Sequence, residues 1–268
     1  MYKRIRLFWW NEKIFHKKEK ENYGDLLGRY LVEKIAQQKV VFTNPNKFSF
    51  NPFFKPVYVT IGSVLGNVNS KCVVWGSGII TKNQWVKKAV FLAVRGPKTR
   101  ERLLSLGYQV PEIYGDPAIL LPDYFFPNVE KSYALGIVPH YVDYDLVKKI
   151  FQGNTNVLVI DLMTNDIEKT TTDFLKCEKI ISSSLHGLIV AHSYQIKAVW
   201  QKFSDKVYGD DIKYEDYFES VELDFYRPSY FDVNTMEELF VKYPSLPRKE
   251  TLERLKVGLM NVCPFKSK

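Results

Sequence analysis

The chain has 268 residues, 46% of them hydrophobic and 15% aromatic. That composition excludes a disordered chain and supplies apolar surface for one large core or two smaller ones. The net charge of +8 points to an anionic partner (a small substrate, a membrane surface or nucleic acid), with solubility as the plain alternative.

In chain order, residues 5–10 read as a first strand and residues 11–21 as a polar loop. Asn22-Tyr23-Gly24-Asp25 then opens a helix with Leu26, Leu27, Tyr30, Leu31 and Ile35 on one face. Asp25 is the expected N-cap. This turn is not a GxGxxG fingerprint, so a dinucleotide is not indicated. Residues 40–42 form a second strand and 43–56 a proline-bearing loop. Three strands follow, over 57–61, 72–75 and 89–94. They end respectively in Gly62-Ser63, Gly76-Ser77-Gly78 and Arg95-Gly96-Pro97. Each glycine alone reads as a turn, but three such ends in succession can bring backbone N–H groups to a ligand. A helix over 98–106 stops at Gly107, and residues 123–132 read as a linker.

The strand and helix alternation restarts with a strand over 134–138, ending in Pro139-His140. Helices are expected over 144–151 and 166–176, and strands over 156–161 and 179–183. Ser182, Ser183 and Ser184 suit an N-cap, and Leu185, Leu188, Ile189 and His192 then recur at helical spacing. His186 therefore sits in a first helical turn at the carboxyl end of a strand, where open α/β sheets bind ligands. A histidine packed under a loop is the bland alternative. A strand over 198–200 and helices over 213–219, 234–242 and 249–262 complete the chain.

Two such units in tandem imply an α/β fold of two Rossmann-like domains, residues 1–125 and 133–268, facing a cleft. One continuous sheet is the alternative. The cleft would oppose Asn22–Asp25, the glycine-rich strand ends and Arg95 to His140 and Ser182–His186. Its chemistry comprises one cation (Arg95), one acid–base group (His186), two carboxylates (Asp25, Asp116) and backbone nests. HExxH, GxSxG and Walker A patterns are absent, and Asp143-x-Asp145 is explained by helix capping. Cys72, Cys177 and Cys263 form no CxxC pair and no zinc spacing. No metal and no cofactor is expected. What remains suits an anionic small molecule held by backbone and arginine, with a histidine moving a proton.

No stretch approaches the roughly 20 apolar residues of a membrane span, and the charged start is too briefly apolar for a signal peptide. A cytoplasmic location is expected. No arginine-rich arm appears, so nucleic acid is not an expected partner.

Five motifs occur in order: Asn22-Tyr-Gly-Asp25-Leu, Trp75-Gly-Ser-Gly78, Ala93-Val-Arg95-Gly-Pro97-x-Thr-Arg100, Gly115-Asp116-Pro117-Ala118 and Ser183-Ser-Leu-His186-Gly187. Together they resemble the polysaccharide pyruvyl transferase family across residues 20–220. The resemblance implies a fold like the two-domain GT-B glycosyltransferases. It implies transfer of the pyruvyl group of phosphoenolpyruvate to a sugar as a cyclic ketal. The implied acceptor is a sugar or lipid-linked oligosaccharide, which adds an expectation of peripheral contact with the inner, anionic face of a membrane. Many members carry an arginine two residues before the histidine, where this chain has Ser184. In the implied site His186 is the acid, Arg95 holds the donor carboxylate and Asp25 accepts from the sugar hydroxyl. Asn22, Gly24, Gly62, Ser63, Gly76, Ser77, Gly78, Ser183, Ser184 and Gly187 surround the donor, and His140, Asp116 and Lys202 face the acceptor. A nucleotide-sugar glycosyltransferase and a non-catalytic basic binding module are the competing functions.

Overall fold

The structure is a computed structural model, describing residues 4–47 and 55–266. Two parallel sheets carry it. The first has strands β1 (Ile5–Phe8), β3 (Val40–Phe42), β4 (Val57–Val59), β5 (Cys72–Trp75) and β6 (Val90–Ala93), in the order β3-β1-β4-β5-β6. The second has β7 (Tyr133–Val138), β8 (Val157–Val159), β10 (Cys177–Ser182) and β11 (Lys197–Trp200), in the order β11-β10-β7-β8. Every pairing within both sheets is parallel. The short apolar runs dictate this, because parallel strands covered by helices on both faces need no polar side. The arrangement is Rossmann-like α/β, as expected.

Helices cover the sheets: α2 (Tyr23–Ala36), α3 (Pro97–Ser105), α4 (Tyr144–Ile150), α5 (Ile167–Leu175), α6 (Leu185–Ser193), α7 (Ile212–Ser220), α8 (Leu239–Lys242) and α9 (Lys249–Asn261). All nine residues of α6 are buried. A helix apolar on every side must lie inside the protein. It packs between the second sheet and the 3-10 segment Pro117–Asp123, which also supports α2. The first half's α2 and the second half's α6 therefore share one apolar core.

The stretch 11–21 is not simply a loop. It holds α1 (Glu12–His16), capped by Asn11 Oδ1, which accepts from Ile14 N at 2.8 Å. Strand β2 (Glu21–Asn22) pairs antiparallel with β9 (Met163–Thr164), clasping the two halves together. Five helical residues are too few to show a periodicity. Glu12, polar by type, is 1% exposed and bonded to His16 Nδ1 at 2.7 Å. The helix expected over 234–242 reduces to the 3-10 turn Val233–Thr235 and α8. Half of the loop expected over 43–56, residues 48–54, lies outside the described residues; the rest, 43–47 and 55–56, is neither helix nor strand, as expected.

The linker separates the two sheets, but the packing crosses it. Beyond β11 the chain returns to the first half: α7 packs on α3, and Trp75 Nε1 donates to Leu259 O of α9 at 2.9 Å. No helix among the described residues is long and apolar enough to cross a membrane.

Candidate active site

Two helix N-termini meet at the site. Helix α2 begins at its cap Asn22, whose Oδ1 accepts from Gly24 N at 3.0 Å. The cap is thus Asn22, not Asp25, which sits in the first turn. Helix α6 begins at Ser184, whose side chain makes no capping hydrogen bond. The serines act differently from the expected hydroxyl cap. Ser182 Oγ accepts from Ser184 N at 2.9 Å and donates to Val138 O at 2.8 Å, fixing the turn between β10 and α6. First-turn N–H groups of α6 are left for another acceptor, at the positive end of the helix.

His186 stands in that first turn, 9% exposed. Its Nε2 lies 3.5 Å from Asp116 Oδ2, within ion-pair range but long for a hydrogen bond, and neither atom has another partner. Asp116 Oδ1 meanwhile caps the 117–123 segment through Ala118 N at 3.0 Å. The carboxylate behind the ring favours a proton on Nε2, which orients the imidazole. On the other side Gly24 is pressed against the ring: a Cβ there would lie 2.1 Å from His186 Nδ1. Gly24→Ala is therefore expected to displace the imidazole and lower turnover by at least about tenfold, while the helix gains roughly 1 kcal/mol of propensity. Melting temperature and kcat measured together would check it; unchanged turnover would detach Gly24 from the site.

A cavity of about 500 Å³ opens before these groups. Of the residues expected from sequence, Asn22, Asp25, Gly62, Ser63, His140, Ser184 and His186 line it. Asp25 is half-buried on the cavity wall, and partial loss of water raises its carboxyl to about 7; the charge of His186 opposes the rise, while Glu12 and Glu21 add to it. Burial pushes His140 down to about 3, with Lys213 adding to the effect, so the ring is neutral at pH 7. Its Nδ1 accepts from Val142 N at 3.5 Å, which leaves the N–H on Nε2.

Other expected residues stand elsewhere. Arg95 is fully buried and does not line the cavity. Its Nε donates to Asp216 Oδ2 at 2.8 Å, Nη2 to Ile79 O at 2.7 Å and Nη1 to Ser63 Oγ at 2.6 Å. The same Asp216 accepts from Thr99 N and Thr99 Oγ1, so the pair pins α7 to the start of α3. Arg95 touches the cavity only through Ser63, which makes it a positioning residue rather than an open fork for a substrate. Gly78 leaves room for the guanidinium: a Cβ there would be 2.3 Å from Arg95 Cζ. Gly76 packs against Pro117, Gly187 against Ser182, and Ser77 Oγ donates to Gly62 O at 2.7 Å. Those glycines serve side-chain packing. Ser183 Oγ accepts from His140 N at 2.8 Å. Lys202 pairs with Asp211 at a separate pocket of about 100 Å³. Asp143 does not cap α4; its Oδ1 accepts from Ser204 Oγ instead.

Sequence reasoning missed Lys213, Tyr141, Trp10, Glu12, Gln84 and Tyr208, all on the cavity wall. Lys213 carried a signal only in hindsight, as the one basic residue in the apolar-rich first turn of α7. His192, by contrast, is the core histidine. It is fully buried and pushed down to about 4 by burial; its Nδ1 contacts Tyr217 Oη at 2.9 Å and its Nε2 the Ala198 carbonyl at 3.2 Å. No cluster of three potential metal ligands occurs among the described residues.

The sequence model of the polysaccharide pyruvyl transferases matches residues 22–200, from the cap of α2 to the end of β11. The chain belongs to the polysaccharide pyruvyl transferase family. It is thus a transferase, and its family moves pyruvyl groups onto polysaccharide. The matched span contains His186, Asp25, Asp116 and His140, whereas α7 lies beyond it. The chain is also 34% identical over 216 residues to an uncharacterised protein of Acanthamoeba polyphaga mimivirus, covering 77% of this chain and 74% of that one. No solved structure matches it.

Proposed function

We propose that this transferase moves the pyruvyl group of phosphoenolpyruvate onto two hydroxyls of one sugar in a polysaccharide precursor, forming a cyclic ketal and releasing phosphate. The observation that carries the reading is the joint exposure of His186 and Asp25 to one cavity, where two helix N-termini converge. We also read the two facing sheets as a GT-B-like pair. The +8 charge supports an anionic, lipid-linked acceptor at the cytoplasmic membrane face.

The chemistry needs one proton delivered and two removed. His186 gives a proton to the methylene carbon of the donor enol, which becomes the methyl group, and positive charge develops at the adjacent carbon. A sugar hydroxyl adds there and loses its proton to Asp25. The carbon–oxygen bond to phosphate breaks, and phosphate leaves with that bond's electron pair. The second hydroxyl closes the ring, and its proton leaves with the phosphate or returns to the histidine. A carboxyl near 7 suits the accepting role, since a base is most effective when its pKa is close to the working pH. Helix N-termini and the neutral His140 N–H supply donors for the anionic groups.

Asp25 has a pH signature. Turnover should rise through pH 7 as the carboxyl ionises, and Asp25→Asn should abolish turnover with that limb. Stability should move oppositely. The folded-state value of about 7 lies above the ordinary 3.8, so the folded chain binds more protons between them. Stability therefore falls as pH rises through that window. Asp25→Asn is expected to melt higher than the unaltered chain at pH 8 and not at pH 4. A lower melting temperature at pH 8 would contradict the raised carboxyl. The reaction itself is tested by phosphate release from phosphoenolpyruvate against a panel of sugar acceptors. Release that requires a sugar supports the reading; turnover of a nucleotide sugar instead would replace it.

A further inference from the structure

We propose that Lys213, together with the first-turn N–H groups of α6, forms the seat for the phosphate group of the donor. The inference rests on the reaction proposed above and goes further by naming the residue that holds the leaving group.

Lys213 is the second residue of α7 and is 9% exposed. It lines the same cavity as His186, Ser184 and His140. A buried ammonium normally sits against a carboxylate. Lys213 has no ion-pair partner among the described residues. Its Nζ has one long hydrogen bond, 3.4 Å to Tyr208 O, and lies 5.2 Å from the centre of the Tyr214 ring. A charge in that position is incompletely satisfied until an anion arrives.

The lysine is also held at the end of α6. Its neighbour Tyr214 donates through Oη to Ser183 O at 2.7 Å. Ser183 Oγ takes the backbone N–H of His140, so one serine ties α7, the β10–α6 turn and the His140 loop together. Ser184 caps α6 with no side-chain bond to its first-turn N–H groups. An ammonium, free amides and the His140 N–H thus border one space. Phosphate, with several acceptor oxygens and up to two charges, is the ligand that chemistry recognises.

The groups facing Lys213 are Arg95 and His140, which oppose its charge, and Asp211 and Asp25, which favour it. Burial is the largest influence, bringing its ammonium down to about 8. Phosphate affinity should therefore fall as pH rises past 8.

The test uses the full chain with inorganic phosphate and, separately, phosphoenolpyruvate, by calorimetry and thermal shift. The unaltered chain should bind both at pH 7. Lys213→Met should raise both dissociation constants about 10–100-fold, as loss of a charge-assisted hydrogen bond does. Its ligand-free melting temperature should equal or exceed that of the unaltered chain, because an unpaired buried charge is gone. Lys213→Arg should retain binding and carry it to higher pH. The seat is rejected if the unaltered chain fails to bind phosphate, or if Lys213→Met binds it equally well. It is also rejected if Lys213→Met destabilises the ligand-free chain and Lys213→Arg does not restore phosphate binding, which is the pattern of a structural lysine. If Lys213-dependent phosphate binding is found but no acceptor yields turnover, the seat stands and the proposed reaction falls. Full turnover by Lys213→Met rejects the seat and leaves the reaction standing.

Discussion

His186→Ala is expected to lower kcat by about 10²–10⁴-fold, the usual cost of losing a positioned general acid. The protein should still fold. The ring borders an existing cavity, so its removal enlarges an open space rather than creating a sealed void in the core. The histidine that holds the core is His192, bonded on both ring nitrogens. His192→Ala should thus lose stability where His186→Ala loses turnover. Purified variants compared by kcat and melting temperature would separate the two roles. Near-native turnover in His186→Ala would remove it from the chemistry, and failure to fold would make it a core residue. Added imidazole should restore part of the activity of His186→Ala, since Gly24 and Asp116 remain to frame the vacated site.

Arg95 predicts the opposite pattern. Its pair with Asp216 is fully buried, and breaking such a pair by removing one partner costs about 3–5 kcal/mol. Domains of this kind are stable by only about 5–15 kcal/mol, so Arg95→Met or Asp216→Ala should strongly lower the urea midpoint. The losses should not add. The double variant Arg95→Met/Asp216→Leu removes both charges and should be less destabilised than the sum of the singles. Arg95→Lys should also suffer, because an ammonium cannot serve Asp216, Ile79 O and Ser63 at once in that planar geometry. If Arg95→Lys kept native stability while its KM for phosphoenolpyruvate alone rose, the arginine would hold substrate directly and the structural assignment would be wrong.

Much of the fold could be read from residue order, and the reasons are local. The apolar runs of β4, β5 and β10 end in small residues, Gly62-Ser63, Gly76-Ser77-Gly78 and Ser182–Ser184. The start of α6 was marked by three serines ahead of a mostly apolar helix. Asn22 and Asp25 were both visible as capping candidates, but choosing between them requires the backbone. Asn22 is extended and Asp25 is already helical.

The site was legible where a residue's type forces its use, and obscure where a distant partner decides it. His186 could be placed at a helix start and His192 on the apolar face of the same helix, which separated the site histidine from the core one. Arg95 looked like a free cation because Asp216 lies 121 residues away. Gly76 and Gly78 looked like a ligand cradle, but the space they leave is filled by Pro117 and Arg95. A missing Cβ admits a side chain as readily as a substrate. Lys213 and Glu12 were passed over because both types normally face water.

The most direct test is to run the reaction in deuterated water with phosphoenolpyruvate and the acceptor sugar that supports phosphate release, and to examine the product by NMR. The account predicts a ketal whose carbon bonds to two oxygens of one sugar, with solvent deuterium in its methyl group and phosphate released in equal amount. It predicts the same product formed about 10²–10⁴-fold more slowly with His186→Ala. A sugar product that retains the phosphate or the methylene group, or a product methyl group without solvent deuterium, would contradict protonation by the enzyme and the proposed transfer.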